Sequence, residues 1–410
     1  MKKITVIENS PIELDDKYLN VLKNILSEDS TQPFRIEKNK LFFNDYIIGS
    51  FQVLDLKIEI LSRHGYFSLK SIFEMIFYTT LDGFDNKMDT IGFTGDSSFG
   101  VSGVSTFFCS VCEKLVKSGI NGEFISKKEK TKNIKGKIDF KSFNKRKIPL
   151  DGLNITYPNF SYNSFENRII KSCLKKIKKT SSSINHSHIS KLLKEFDLVD
   201  DITVNKAELH SFKYNKSFLN GYYPITLELA ILILKDLNIN YKNGNIKWSS
   251  FLVNSNTIFE NYIFKIIKDG LTEEVMKWKK PKKFAQIIYK TFSSNKSFIP
   301  DILIDYKSNK MECRSVLDVK NKKFNIDTRK LNEIVSSSDI YQMLFYCERL
   351  KTNSGGLIFP SLESHDPIKL SINNEDNSNI FILSLNMDKN INDRHKELIS
   401  NIRESVLLYS

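Results

Sequence analysis

The sequence lacks most of what would make a secreted, membrane-spanning or disulfide-stapled protein. Its 410 residues include five cysteines. That odd number, with a single C-x-x-C at Cys109 and Cys112, builds no disulfide framework and offers no second ligand pair for structural zinc. Reduced, buried thiols are expected. No run approaches the ~20 consecutive apolar residues of a bilayer-crossing helix. The opening MKKITVIENSPIELDD turns acidic before a signal-peptide core could form, so a cytoplasmic protein without membrane contact is expected. Sixteen glycines and nine prolines are too few, and 40% hydrophobic residues too many, for a collagen-like or wholly disordered chain. Also missing are G-x-x-x-x-G-K-[ST], H-E-x-x-H, G-x-S-x-G and a G-x-G-x-x-G set between strand and helix. Their absence removes the usual signatures of P-loop NTPases, metalloproteases, serine hydrolases and dinucleotide enzymes. If nucleotide hydrolysis serves this protein, another chain supplies it.

Acids are scarce relative to bases: 61 Lys and Arg against 48 Asp and Glu give a net charge of +13. Such a balance favours a polyanionic partner such as nucleic acid. Abundant Lys, Asn and Ile would also follow from an AT-rich coding sequence, so distribution matters more than the total. Between Lys127 and Lys147 ten bases face only Glu129 and Asp139. A second cluster, KWKKPKK, sets Lys277, Lys279, Lys280, Lys282 and Lys283 around Trp278. Cations interleaved with an aromatic suit a phosphate backbone, and these five lysines are the candidate DNA-binding residues. A solvated loop is the plainer reading of either cluster taken alone.

The length suggests two to three domains at ~150 residues each. Short β-like runs open the chain (ITVIE, FRIEKNKLFF, DYIIGSFQVL, LKIEIL), broken by turns at hairpin spacing, and two helices are expected at residues 68–81 and 104–119. Between these helices a loop carries Gly83, Gly92, Gly95, Gly100 and Gly103; without a following Lys-Ser/Thr it reads as a flexible connection. Residues 1–125 therefore form a β-rich N-terminal module with helices. Residues 126–250 form a basic, helical middle region, with helices at 163–180, 186–199 and 223–237. His186 and His188 stand two apart near a helix start, poor spacing for a shared metal, and read as structural or solvated.

Beyond residue 250 a helix, two strands, a helix and further strands follow one another, the order of an α/β unit on one mixed sheet. The acids gather here. FIPDILIDY (298–306), the turn KSNK and CRSVLDVK (313–320) read as a hairpin. A turn centred on Asn309 and Lys310 places Asp301 directly opposite Asp318. Alternation along the strand puts Lys320 on the same face as Asp318 and Val319 on the other. Two carboxylates held that close repel unless a hard cation bridges them, and Mg²⁺ is the natural choice. The ion would neutralise charge on a scissile phosphate and acidify a water, while Lys320 orients that water or helps deprotonate it. An ordinary surface ion pair is the bland alternative, since D-x-K is common in a Lys-rich chain. Glu260 lies beside the apolar face of an amphipathic helix at 256–270, and Gln342 and Tyr346 stand four apart on a helix at 336–350 that opens with Ser and Asp capping residues.

As a set, Glu260, Pro300-Asp301, Asp318-x-Lys320 and Gln342-x-x-x-Tyr346 resemble the PD-(D/E)xK nuclease superfamily in the subgroup with the Q-x-x-x-Y extension. The closer resemblance is to the McrC family, the nuclease subunits of McrBC-type and LlaJI-type restriction systems. It runs along most of the chain through LKIEIL, NIKGKIDF (133–140), FENRIIK (165–171), TIFENYIF (257–264), IPDILI (299–304), VLDVKNK (316–322), SSDIYQMLFYC and GGLIFP.

The resemblance implies an α+β multidomain protein with a C-terminal restriction-endonuclease-like α/β domain over 251–410, built on a central mixed sheet. It implies a Mg²⁺-dependent deoxyribonuclease acting on double-stranded DNA within a multi-subunit, NTP-dependent restriction system. Asp301 and Asp318 would be the metal ligands, Lys320 the catalytic lysine, Glu260 an additional acid, and Gln342 and Tyr346 a supporting pair. A separate McrB-like AAA+ NTPase, a GTPase in preference to an ATPase, would be bound through the N-terminal part of the chain and stimulated by it. Double-strand cleavage would require paired nuclease domains. A stand-alone repair or recombination nuclease, and a noncatalytic activator of a ring NTPase, are the alternative readings.

Overall fold

The computed structural model describes the chain apart from residues 1, 29–31, 81–100, 141–151, 181–182, 203–207, 210–211, 213–220, 243–244, 279–280, 290–291, 325, 327–333 and 372–377. Its contacts divide it into two compact units, Met1–Phe99 together with Leu252–Ser410, and Gly100–Phe251. The sequence breaks at 125 and 250 divide the chain differently, because residues 1–99 cluster with the C-terminal third. The tie is apolar: the helix Leu69–Thr80 packs on the helix Ser255–Gly270. Phe67 meets Phe259 with ring centroids 5.4 Å apart.

In the first unit the early β runs form as expected. The strand Leu56–Leu61 pairs in parallel with Lys2–Ile7 and antiparallel with Ile47–Val53. Its C-terminal part carries a six-stranded mixed sheet ordered Val275–Lys277, Ile302–Ile304, Ser315–Val319, Ser354–Ser361, Asn379–Asn386, Ile368–Ser371. Ile302–Ile304 is antiparallel to the strands on either side, Ser354–Ser361 runs parallel to both its neighbours, and the edge strand Ile368–Ser371 is antiparallel. Every residue of Ser354–Ser361 is buried, as a central strand covered on both faces requires. Its two glycines serve close packing. A Cβ at Gly355 would lie 2.7 Å from Met343 Sδ on the helix Ser337–Arg349, and one at Gly356 would lie 2.5 Å from Leu317 Cδ2.

FIPDILIDY is not one strand. Phe298 ends a different strand, Phe292–Phe298, which pairs antiparallel with Lys282–Tyr289 as a separate two-stranded ribbon; the sheet strand proper is Ile302–Ile304. Pro300, which cannot donate to a ladder, stands at the break.

The second unit packs the helices Val101–Lys117, Phe165–Thr180, Ser183–Glu195 and Tyr223–Asp236. Cys109, Cys112 and Cys173 are free thiols in its interior. Asn167 of the FENRIIK segment is fully buried; it donates to the carbonyls of Asn121 (2.9 Å) and Tyr162 (2.7 Å) and accepts from the Tyr223 hydroxyl (2.7 Å). The middle region is not helical throughout. Its basic stretch begins on the strand Glu123–Thr131, paired antiparallel with Leu153–Ser161, which also pairs with Lys137–Ile138. Most of Glu123–Thr131 is exposed, including Phe124. The predominantly charged and polar run SKKEKT satisfies a ribbon open to solvent on both faces as well as it satisfies a loop, so the sequence could not separate the two.

Among the described residues no helix is long and apolar enough to cross a membrane. The glycines at 83, 92, 95 and 100 and the basic residues Lys141, Lys145, Arg146 and Lys147 lie outside the described residues.

Candidate active site

The hairpin has the expected register. Ile302 faces Leu317 and Ile304 faces Ser315, and the isolated bridge Lys307–Glu312 continues the same pairing beyond the strands. Extended by one step, that register brings Asp301 opposite Asp318. Asp301 sits just before its strand, where its Oδ2 accepts the Val319 main-chain N–H at 2.8 Å. This bond fixes the carboxylate across the hairpin.

Asp318 is buried, and its Oδ2 lies 2.5 Å from Lys320 Nζ. The approach falls outside hydrogen-bond geometry, and this buried oxygen accepts no hydrogen bond within the described chain. Burial pushes both carboxyl pKa values above the ordinary range. The neighbouring Asp301 charge pushes Asp318 further, against Lys320, while Glu260 adds to the rise at Asp301 against the Val319 N–H. For Lys320, burial works to lower the pKa, but the charges of Asp318, Asp339 and Asp301 prevail and hold the ammonium above its usual value.

Behind the lysine runs a polar chain. Lys320 Nζ donates to Gln342 Oε1 (2.7 Å), Gln342 Nε2 donates to the Tyr346 hydroxyl (2.7 Å), and that hydroxyl donates to the Ile299 carbonyl (3.0 Å). The helix Ser337–Arg349 supplies both members, with Tyr346 buried. Helical spacing aims the two side chains along one face. The chain therefore starts at one strand of the hairpin and ends two residues before Asp301.

Glu260 projects from the helix Ser255–Gly270, whose buried face is Phe259, Tyr262, Ile263, Ile266 and Ile267. Asn256 Nδ2 donates to its Oε1 at 2.6 Å. Burial raises its pKa, opposed by Lys277 and reinforced by the Asp318 charge. Among the described residues no three His, Cys, Asp or Glu side chains converge as a metal cage. The facing acids are Asp301 and Asp318, with Glu260 close enough to act through its charge. Lys277 donates to Asn261 Oδ1 at 2.7 Å and bears electrostatically on Glu260 and Asp301, so it belongs to this acidic neighbourhood. Lys282 and Lys283 are exposed on the ribbon, and Lys279 and Lys280 lie outside the described residues.

One residue of the site escaped the sequence reading. Asp339 is buried at the first turn of the Gln342 helix, where Ser336 caps the helix by accepting from the Asp339 N–H. Its carboxylate lies 2.7 Å from Lys322 Nζ and 3.5 Å from Lys320 Nζ. Burial would raise its pKa, but Lys322, the Ser336 hydroxyl and Lys320 together hold it below the ordinary value. In sequence Asp339 shows only as a capping residue. Lys320 consequently stands between two carboxylates of different character, one ionised and well paired, the other destabilised by its neighbour.

A surface cavity of about 470 Å³, lined by Tyr78, Asp269, His395 and Arg403 among others, shares no residue with this site. Tyr78 donates to Asp269 (3.2 Å) and His395 Nε2 lies 2.7 Å from the Tyr262 hydroxyl, so its walls are tied internally.

Fold and site together define an α+β protein whose mixed sheet presents two facing aspartates and an adjacent lysine backed by a Gln-Tyr helix. The chain belongs to the family of McrBC 5-methylcytosine restriction system components, whose model matches residues 44–360. Its fold is similar to that of a chain in the refined half-complex from the tetradecameric assembly of Thermococcus gammatolerans McrB AAA+ hexamers with bound McrC. That likeness has a TM-score of 0.65 at 17% identity and covers 98% of this chain and 100% of that one. A chain of the cryo-EM structure of the Thermococcus gammatolerans McrBC complex is 16% identical with a TM-score of 0.47, over 67% of this chain and 89% of that one. No curated protein matches the sequence.

Proposed function

We propose that this chain is the DNA-cleaving subunit of its restriction system, a PD-(D/E)xK-type, Mg²⁺-dependent deoxyribonuclease. The observation that carries the reading is the placement of Asp301 and Asp318 across one hairpin with Lys320 against Asp318. The residues fit a hard divalent ion: two carboxylates facing one another across a hairpin, both with raised pKa values. Magnesium is commonly held by one or two carboxylates, with water and substrate phosphate completing the shell, so a third protein ligand is not required. Asp301 and Asp318 would hold it, and when bound it supplies charge neutralisation at the phosphate and a more acidic water.

The chain's own residues do the rest. The Val319 N–H orients Asp301. Lys320, kept charged by its carboxylates and aimed by Gln342, stabilises the negative charge that develops on the phosphate oxygens. Tyr346 fixes Gln342 and ties the assembly to the segment leading into Asp301. Glu260 and Lys277 tune the field from the edge.

We assign to this subunit a McrB-like AAA+ partner, as in the assembly that contains the chain of similar fold, and read that partner as a GTPase in preference to an ATPase. The family membership and the exposed basic strand Glu123–Thr131 support that assignment. Cutting both strands requires two such sites, hence paired nuclease domains. The test is cleavage of methylated and unmethylated plasmid with Mg²⁺, with and without the partner NTPase and GTP or ATP, beside Asp318→Ala. Cutting that needs partner and nucleotide and vanishes in the variant is the expected result. Cutting by the chain alone would make it an independent nuclease. Stimulated NTP hydrolysis with no cutting would make it a noncatalytic activator.

A further inference from the structure

The strands Val275–Lys277 and Ile302–Ile304 are hydrogen-bonded neighbours in the sheet, yet the chain between them makes a long excursion as the ribbon Lys282–Tyr289 and Phe292–Phe298. Among the described residues the ribbon pairs with no other strand, and positions 281–288 and 293–297 are all exposed. A lone two-stranded hairpin is marginal in water, so this one depends on its base. There Phe284, Phe298 and Phe345 form an aromatic cluster with centroids 4.8 to 6.3 Å apart. Phe298 is followed within three residues by Asp301, so the ribbon is mounted on the edge of the acidic site.

Its faces differ in chemistry. Gln286 lies directly opposite Asn295, and the pairs Lys283–Ser297 and Ile288–Ser293 fall on the same face. No Asp or Glu occurs from Pro281 to Phe298. This is an extended, acid-free face with paired amide side chains at its centre and an exposed aliphatic, Ile288, towards the turn. The major groove of B-DNA is ~12 Å wide and admits a two-stranded β-ribbon; Gln and Asn there bond adenine edges, and an apolar side chain meets the thymine methyl. Seven residues of strand extend roughly 24 Å, about seven base-pair steps, from an anchor beside the cleaving carboxylates.

We infer that the ribbon lies in the major groove of the duplex that the acidic site cuts, with the Gln286–Asn295 face towards the base edges and Lys283, at the anchored end of that face, towards a phosphate. This rests on the nuclease reading above and adds a groove-contacting element to it. Because the contact is made by this chain, part of any preference for sequence around the cut would be its own and not the partner's.

The test uses the full-length chain, a fluorescein-labelled 30-base-pair duplex followed by anisotropy across a salt series, and dimethyl sulfate protection of guanine N7, a major-groove atom. Lys283→Ala should weaken binding about threefold or more and flatten the slope of log K against log salt by roughly 1. Gln286→Ala/Asn295→Ala should keep the slope and lose the N7 protection. All three side chains are exposed, and an unchanged thermal midpoint confirms the fold. Unchanged affinity and protection in both variants, with plasmid cleavage intact, would overturn the ribbon assignment and leave the nuclease reading standing. Normal duplex binding with lost assembly, to a second copy or to the NTPase, would overturn it in favour of a protein contact. Absence of duplex binding by the wild-type chain, alone and with its AAA+ partner, would overturn the ribbon assignment, while plasmid cleavage tests the nuclease reading separately.

Discussion

The Tyr66 hydroxyl donates to the carbonyl of Phe324 at 3.1 Å and accepts the N–H of the same residue at 3.0 Å. One side chain from the N-terminal part thus satisfies both main-chain groups of a buried residue four positions beyond Lys320. Tyr66→Phe strands both groups, and the expected cost is about 2 kcal/mol of unfolding free energy in urea. An unchanged midpoint would show that water replaces the hydroxyl.

Gln342 separates positioning from metal binding. Gln342→Ala should slow cleavage about 10- to 100-fold with the half-saturating Mg²⁺ concentration unchanged, since only the orientation of Lys320 is lost. Asp318→Asn should raise the Mg²⁺ requirement as well. Rates measured across a Mg²⁺ series check both, and a common shift in Mg²⁺ requirement would contradict the division.

Mg²⁺ binding should release protons. Burial and mutual repulsion raise the carboxyl pKa values of Asp301 and Asp318, so in mildly acidic solution protons compete with the cation. Apparent affinity therefore rises with pH until both groups are ionised. Calorimetric titration in two buffers of different ionisation enthalpy measures the released protons; the same heat in both would count against the aspartate pair as the binding site.

His395 makes stability depend on pH. Arg394 donates to the Tyr262 hydroxyl (3.3 Å), so that hydroxyl's proton faces His395 Nε2 at 2.7 Å and the ring is neutral. Burial, aided by the Arg394 charge, depresses its pKa to about 3. Above the ordinary value of 6.5 the folded and unfolded chains are equally unprotonated and the stabilisation is complete. As pH falls below that, the unfolded chain takes up a proton that the folded one resists. Stability then drops by up to ~1.4 kcal/mol per pH unit, towards pH 3. His395→Gln should flatten the dependence of the urea midpoint on pH.

Arg394 itself is 2% exposed and pairs with buried Glu74 at 3.1 Å. Arg394→Met removes the closer of two cations from that buried carboxylate, leaving Lys70 at 3.8 Å, and a loss of about 3 kcal/mol is expected. Adding Glu74→Leu should restore much of it. A double variant no more stable than Arg394→Met would show that the ion pair is not the source of the loss.

The acidic site was legible because its geometry is local. Strand alternation and a hairpin register read from KSNK placed Asp301, Asp318 and Lys320 together, and helical spacing aligned Gln342 with Tyr346. What stayed hidden depends on distant partners. Asp339 carries the sequence mark of a helix cap, and only the return of the helix over the sheet brings it to Lys320 and Lys322. The break at Pro300 fell inside FIPDILIDY, which read as one strand, so the end of the ribbon at Phe298 was not separated from the sheet strand. The grouping of residues 1–99 with the C-terminal third rests on Phe67, Tyr66 and Glu74 meeting Phe259, Phe324 and Arg394. No pattern within either segment records those contacts.

Gly355 bears on the lysine without touching it. Where other residues have a side chain it has a hydrogen, and Met343, beside Gln342 on the covering helix, fills the space. The links from Asp318 to Lys320, Gln342 and Tyr346 span that same interval at 2.5 to 2.7 Å and have no slack. A methyl at 355 would act as a shim, lifting the helix and opening the train at its weakest joint, so the thickness of one glycine calibrates the reach of Lys320.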